Sequence, residues 1–205
     1  VLLQMENSSA AYHGPLHQWI DGALDRVALA EAFVQLVERH ESLRTTFVLV
    51  DGEPRQSVHP RSDFQLDFTD VSDRPSPEGG ARQLGRVQVS QPFDLARGPL
   101  LRATLVMLGQ QRHALLLTLH HIICDGVSIN VISRELGELY NARLRGEANP
   151  LPPLRLHYRD FAAWQNRWLA SDAIAPQRDY WLQKLGGELP VLNLPTDFAR
   201  PAQQS

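Results

Sequence analysis

The chain has one cysteine, Cys124, in 205 residues, which excludes an internal disulfide. It has no apolar run of about eighteen residues, the length a membrane-spanning helix needs. Its opening, Val1-Leu2-Leu3-Gln4-Met5-Glu6, lacks the basic segment and apolar stretch of a secretory signal. A cytosolic address is the expectation from these absences. Cationic excess is missing too: 20 Lys and Arg stand against 23 Asp and Glu, a formal charge of -3, so neither nucleic acid nor anionic lipid is an expected partner. Internal repeats and low-complexity tracts are absent, and so is an H-E-x-x-H zinc helix. With no initiating Met and a polar tail from Asp197 to Ser205, the sequence reads as a piece of a longer chain.

What is present is a globular composition, 43% hydrophobic and 21% charged, enough for one good core or one lobe of something larger. Gln18 to Asp21 reads as a short strand closed by Gly22. Asp25 is an N-cap for a helix to about Glu41, whose buried stripe is Leu29, Phe33, Leu36, Val37 and His40. Thr45 to Val50 and Arg55 to His59 form a hairpin about Asp51-Gly52, and Phe64 to Phe68 alternates as another strand. Residues 71 to 80 are a Ser, Pro and Gly loop before a helix near Ala81 to Ser90. Gly98-Pro99 precedes a strand from Leu100 to Leu108, and a turn at Gly109 to Arg112 returns the chain through a strand ending at His120. Ile129, Ile132, Leu136, Leu139 and Tyr140 mark one face of a helix that ends near Gly146, and Asn149 to Pro153 is a linker. Helices at Tyr158 to Leu169 and Pro176 to Leu185 follow, with Trp164 and Trp181 expected as packing anchors.

Chemistry concentrates at residues 120 to 126, His-His-Ile-Ile-Cys-Asp-Gly, where the apolar strand stops and a helix begins. Strand ends are where side chains leave the packed sheet for a cleft. A strand alternates its faces, so His120 and His121 should point opposite ways, and at most one faces substrate. Opposed imidazoles cannot close on one ion, which argues against a zinc pair, and no metal is expected. Cys124, in an apolar stretch, reads as inert core rather than a nucleophile. Asp125 is placed either to cap the next helix or to hold a buried charge, and Gly126 to allow a tight turn or close backbone approach to a ligand.

Five stretches together resemble the condensation domains of nonribosomal peptide synthetases. They are Leu24-Asp25 through Arg39-His40-Glu41-Ser42-Leu43-Arg44-Thr45-Thr46-Phe47; Pro92-Phe93-Asp94-Leu95 with Gly98-Pro99-Leu100-Leu101-Arg102; His120 to Gly126; Tyr158-Arg159-Asp160-Phe161-Ala162-Ala163-Trp164-Gln165; and Leu194-Pro195-Thr196-Asp197 with Arg200-Pro201. The family's opening Ser-x-Ala-Gln-x-Arg type motif is not in the chain, which enters near Ser8-Ser9-Ala10-Ala11-Tyr12. Val127 and Cys124 stand where many relatives carry Trp and Ser, which leaves the donor stereochemical subtype open.

The resemblance implies an α/β fold of the chloramphenicol-acetyltransferase-like type, a mixed sheet covered by helices. It implies one amino-terminal lobe over residues 1–205, with about 186–205 leading toward a carboxyl-terminal lobe that the chain lacks. By the same resemblance His121 is the active-site histidine of amide formation from a carrier-bound thioester and an acceptor amine. Imidazole changes charge near neutrality and suits a proton leaving the attacking amine. His120 is then expected to face the interior, and Asp125 to hold the loop by a salt bridge to Arg44. Gly126 brings a backbone N–H toward the thioester oxygen or allows the turn. No cofactor is expected to bind directly. The phosphopantetheine arms belong to carrier-protein domains, which are the expected partners beside an adenylation domain and the second lobe. Because the second wall is missing, the 205 residues alone are expected to fold without catalysing. Two alternatives stay open, a CoA-dependent acyltransferase of the same superfamily and a non-catalytic carrier-docking module.

Overall fold

A computed structural model describes residues 11–190, 194–195 and 197–199. The opening residues up to Ala10, most of the expected linker beyond residue 190, and Thr196, Arg200 and Pro201 of the last motif lie outside the described residues. The chain divides into two units, 1–159 and 160–205.

The first unit is built on a four-stranded mixed sheet. Its strands are β1 (His13–Asp21), β4 (Leu66–Asp70), β5 (Leu101–Gly109) and β6 (Arg112–His120), in the spatial order β1-β6-β5-β4. β1 and β5 both pair antiparallel with β6, and β4 runs parallel to β5. A parallel neighbour requires a crossover, and α2 (Pro77–Ser90) supplies it between β4 and β5. The hairpin of β2 (Thr45–Val50) and β3 (Glu53–Val58) forms a separate sheet.

Side-chain alternation in β5 and β6 divides the core between two faces. Leu101, Ala103, Leu105, Leu115, Leu117 and Leu119 meet Phe33 and Leu36 of α1 (Arg26–Arg39) and Ile132 and Leu136 of α3 (Gly126–Leu144). Val106, Leu108, Ala114 and Leu116 instead meet Ala81 and Leu84 of α2. A strand covered on both faces reads as an unbroken apolar run, as Ala114 to Leu119 does. α1 starts where Asp25 Oδ1 accepts the N–H groups of Val27 and Ala28 at 2.9 and 3.0 Å, the cap that the sequence predicts.

Several boundaries differ from the sequence reading. β1 begins at His13, not Gln18, because an edge strand tolerates the missing N–H of Pro15. α2 begins at Pro77, not Ala81: Ser76 caps it and Pro is suited to a first helical turn, whereas composition alone made the stretch look like loop. Phe64 precedes its strand and packs on Phe33, ring centroids 5.5 Å apart.

The second unit carries most of α4 (Tyr158–Leu169), a 3-10 turn at Asp172–Ile174 and α5 (Ala175–Leu185). Trp164 and Trp181 are not buried anchors: they are 53% and 56% exposed. Trp164 stacks on Trp168 and Trp181 meets Tyr180 edge-on, each along its own helix. No helix among the described residues is long and apolar enough to cross a membrane.

Candidate active site

The β6-to-α3 turn is fixed at both ends by its own side chains. At the strand end, the N–H of Ile122 donates to His120 Nδ1 at 3.0 Å and that of Ile123 donates to the His120 carbonyl at 3.0 Å. At the helix end, Asp125 Oδ1 accepts from the Ser128 N–H at 2.8 Å and the Ser128 hydroxyl at 2.7 Å. Ser128 Oγ returns the favour by accepting the Asp125 N–H at 3.2 Å, which completes a capping box.

Between these ends the two imidazoles part. His120 turns among aromatic rings, stacked on Tyr12 at 6.3 Å and edge-on to Phe93 at 6.1 Å. A ring nitrogen that accepts a backbone N–H carries a lone pair, so Nδ1 of His120 is unprotonated. Burial, then the nearby His13 and His121, push the His120 pKa down and favour the neutral ring. His121 is exposed and its backbone N–H donates to the Tyr12 carbonyl at 2.8 Å. Its Nδ1 lies 3.3 Å from the Cys124 carbonyl, an acceptor only, so Nδ1 carries the proton. Nε2 lies close to the backbone at Gly14.

His121, Cys124 and Asp125 line a cleft of about 450 Å³, whose other walls include Phe47, Leu156, His157 and Tyr158. Burial and then the Asp125 charge push the Cys124 thiol up to about 11, which keeps it neutral. Hydrogen bonds from Ser128 hold the Asp125 carboxyl below the usual carboxylate range. Among the described residues no group of three or more His, Cys, Asp or Glu is arranged to hold a metal ion.

The expected Asp125–Arg44 salt bridge is not formed. Arg44 follows α1 in a 3-10 turn and donates to the carbonyls of Glu38 and His59, with Glu41 3.8 Å away. Asp125 is spent on capping α3, the first of the two roles its position offers. Gly126 has ordinary backbone angles and nothing within 4 Å of where a Cβ would sit, so neither strain nor crowding in the turn requires glycine there.

Two carboxylates that the sequence reading passed over organise the back of the cleft. Glu135 of α3, 5% exposed, accepts from Arg39 Nε at 3.0 Å and lies 2.7 Å from His40 Nε2, joining α3 to the end of α1. His40, expected in the buried stripe, turns its ring to this carboxylate. Glu41, 9% exposed, faces Arg159 Nε at 3.1 Å and His157 Nδ1 at 4.0 Å. The signal for Glu135 was its place beside Ile132 and Leu136 on an apolar stripe.

The condensation-domain family matches the sequence over residues 1–205. The chain belongs to that family. It is similar to tyrocidine synthase 3 of Brevibacillus parabrevis, 45% identical over the whole chain and 3% of that protein's length. To gramicidin S synthase 2 of Brevibacillus brevis it is 41% identical, again over the whole chain and 4% of the relative. Among solved structures, the X-domain in complex with OxyB from teicoplanin biosynthesis is 32% identical, with a TM-score of 0.82 over 96% of this chain and 43% of that one. The mixed sheet covered by helices that the sequence implied is thus also the family's fold.

Proposed function

We propose that this chain supplies the His121 wall of a peptide-bond-forming condensation domain within a nonribosomal peptide synthetase. The observation that carries the reading is the place of His121, exposed on the cleft wall with its Nδ1 3.3 Å from the Cys124 carbonyl. The named relatives, synthases of tyrocidine and gramicidin S, support the substrate class. In the reaction an acceptor amine attacks the carbonyl carbon of a donor thioester, the C–N bond forms and the C–S bond breaks. His121 Nε2 takes the proton that the amine must lose, and the sulfur departs as the thiol end of the carrier arm. His120 supports the turn from the interior side, Asp125 fixes where α3 begins, and the first N–H groups of α3 offer positive potential to an oxyanion.

Donor and acceptor arrive on the phosphopantetheine arms of carrier-protein domains. The apolar side chains of Phe47, Ile122 and Leu156 in the cleft suit such an arm. An adenylation domain and a second lobe complete the cytoplasmic assembly, and the 205 residues alone fold without turning over. A docking role is the second reading, favoured by the structural relative found in complex with another protein. Single-turnover condensation by the complete domain with loaded carrier proteins separates the two. His121→Ala should lower the rate about 10²- to 10⁴-fold, and His120→Asn far less. A His121→Ala domain that condenses at the wild-type rate would overturn the catalytic assignment.

A further inference from the structure

After α3 the chain runs from residue 147 to 157 without regular structure, and Leu154, Leu156 and His157 of this stretch line the His121 cleft. Two of its fastenings come from residues at the end of α1. Arg39, itself held by Glu135, donates from a terminal guanidinium nitrogen to the Pro152 carbonyl at 2.6 Å. Two residues on, Glu41 draws in Arg159 at 3.1 Å and His157 at 4.0 Å through the same oxygen, Oε2. That oxygen is buried and accepts no hydrogen bond, because Arg159 Nε is within reach but out of line. A buried acceptor without a donor is costly, so the carboxylate favours whatever brings these two donors closer.

We propose that Glu41 is a positioning residue of the cleft: it clamps the 152–159 strap across the end of α1, and this sets the space in front of His121. Glu41 is fixed on the well-packed core side, as its neighbours Leu36, Val37 and Leu43 are buried. Just before the strap, Leu151 packs against that core. Loss of the Glu41 fastening would loosen residues 154 to 157 on the side away from Arg39. A cleft wall that drifts by about 1 Å forfeits much of its van der Waals contact with a bound substrate, so the grip weakens even though the strap touches no reacting atom.

The strap can be tested apart from catalysis. Hydrogen exchange of this chain should show amides 154–157 exchanging about tenfold faster in Glu41→Gln and in Arg159→Ala, with β6 and α1 unchanged. Arg159→Lys should restore most of the protection. Unchanged exchange in both variants, or a rise that spreads to β6, would overturn the clamp. If Glu41→Gln fails to fold, the two Arg159 variants decide. The consequence for turnover rests on the proposed function: in the complete synthetase both variants should raise KM for a loaded carrier protein roughly tenfold with kcat within about twofold. Loss confined to kcat would refute a positioning role even where the exchange result holds. An inactive wild-type domain would instead count against the condensation reading and leave the clamp to the exchange data.

Discussion

Glu135→Ala should be strongly destabilising at the α1–α3 contact. Its carboxylate is 6% exposed and meets Arg39, 11% exposed, at 3.0 Å, as well as the His40 ring at 2.7 Å. Burial pushes the Glu135 pKa up, but the His40 and Arg39 contacts together outweigh it and leave the carboxyl below its ordinary value. Deleting the acid strands a guanidinium that has little access to water, for which loss of one partner costs roughly 3–5 kcal/mol. Arg39 keeps its bond to the Pro152 carbonyl, so the low end, about 3 kcal/mol, is expected. At about 2–4 °C per kcal/mol for a domain of this size, Tm should fall by roughly 6–12 °C.

The assay is urea unfolding of the chain at pH 7.5, read as a lower midpoint at unchanged slope. A second variant sharpens it. Arg39→Met with Glu135→Leu removes both charges and keeps the volume, and should cost less than Glu135→Ala alone, because no unpaired ion remains. The gap between wild type and Glu135→Ala should also narrow in acid: a depressed carboxyl contributes stability that is present above its unfolded value and lost as pH falls through the folded one. A Glu135→Ala protein within about 1 kcal/mol of wild type, or a double variant as unstable as the sum of its parts, would refute the reasoning.

The cap reading of Asp125 predicts that Asp125→Asn, which keeps an acceptor for the Ser128 N–H, is milder than Asp125→Ala in melting temperature. Asp125→Ala and Arg44→Ala should act independently in a double-mutant cycle, whereas strong coupling would restore the salt bridge that the structure does not contain. The depressed pKa of His120 makes its neutral ring a stabilising element above an unfolded imidazole value of about 6.5, and that contribution is lost as pH falls through the folded value. His120→Asn should therefore lose less melting temperature than wild type between pH 7.5 and 5.5, and equal losses would refute the assignment.

How legible each element was follows from where its information lies. α1, α3 and the β5–β6 hairpin could be read because their cause is local: apolar spacing, an Asp N-cap, a turn at Gly109. The start of β1 could not, since Gly14 and Pro15 look like a break until β6 is known to lie on one side only. The first turn of α2 was hidden in the same way, by Pro77, Gly79 and Gly80, which act as punctuation in a sequence and fit a capped helix start in the fold. Trp164 and Trp181 were misread because a large aromatic on an amphipathic helix implies burial only when something covers it.

In the candidate site, sequence identified the groups but not all of their partners. The alternation of His120 and His121 is local geometry, and the rings do part at the strand end. The partner of an acid is a tertiary matter: Asp125 has donors three residues away in Ser128, and a carboxylate already satisfied at a helix start has little reason to reach for a distant guanidinium. Arg44 is likewise engaged elsewhere, by the carbonyls of Glu38 and His59 and by Glu41. The closer ion pairs here fall instead to Glu41 and Glu135, whose nearest cations, Arg159 at 3.1 Å and Arg39 at 3.0 Å, come from distant parts of the sequence, while the local Arg44 and Arg134 stay 3.8 Å away. The turn thus holds His121 with short-range bonds, while the walls around it depend on long-range charge, so changes at the walls should alter what the cleft admits before they alter the chemistry at His121.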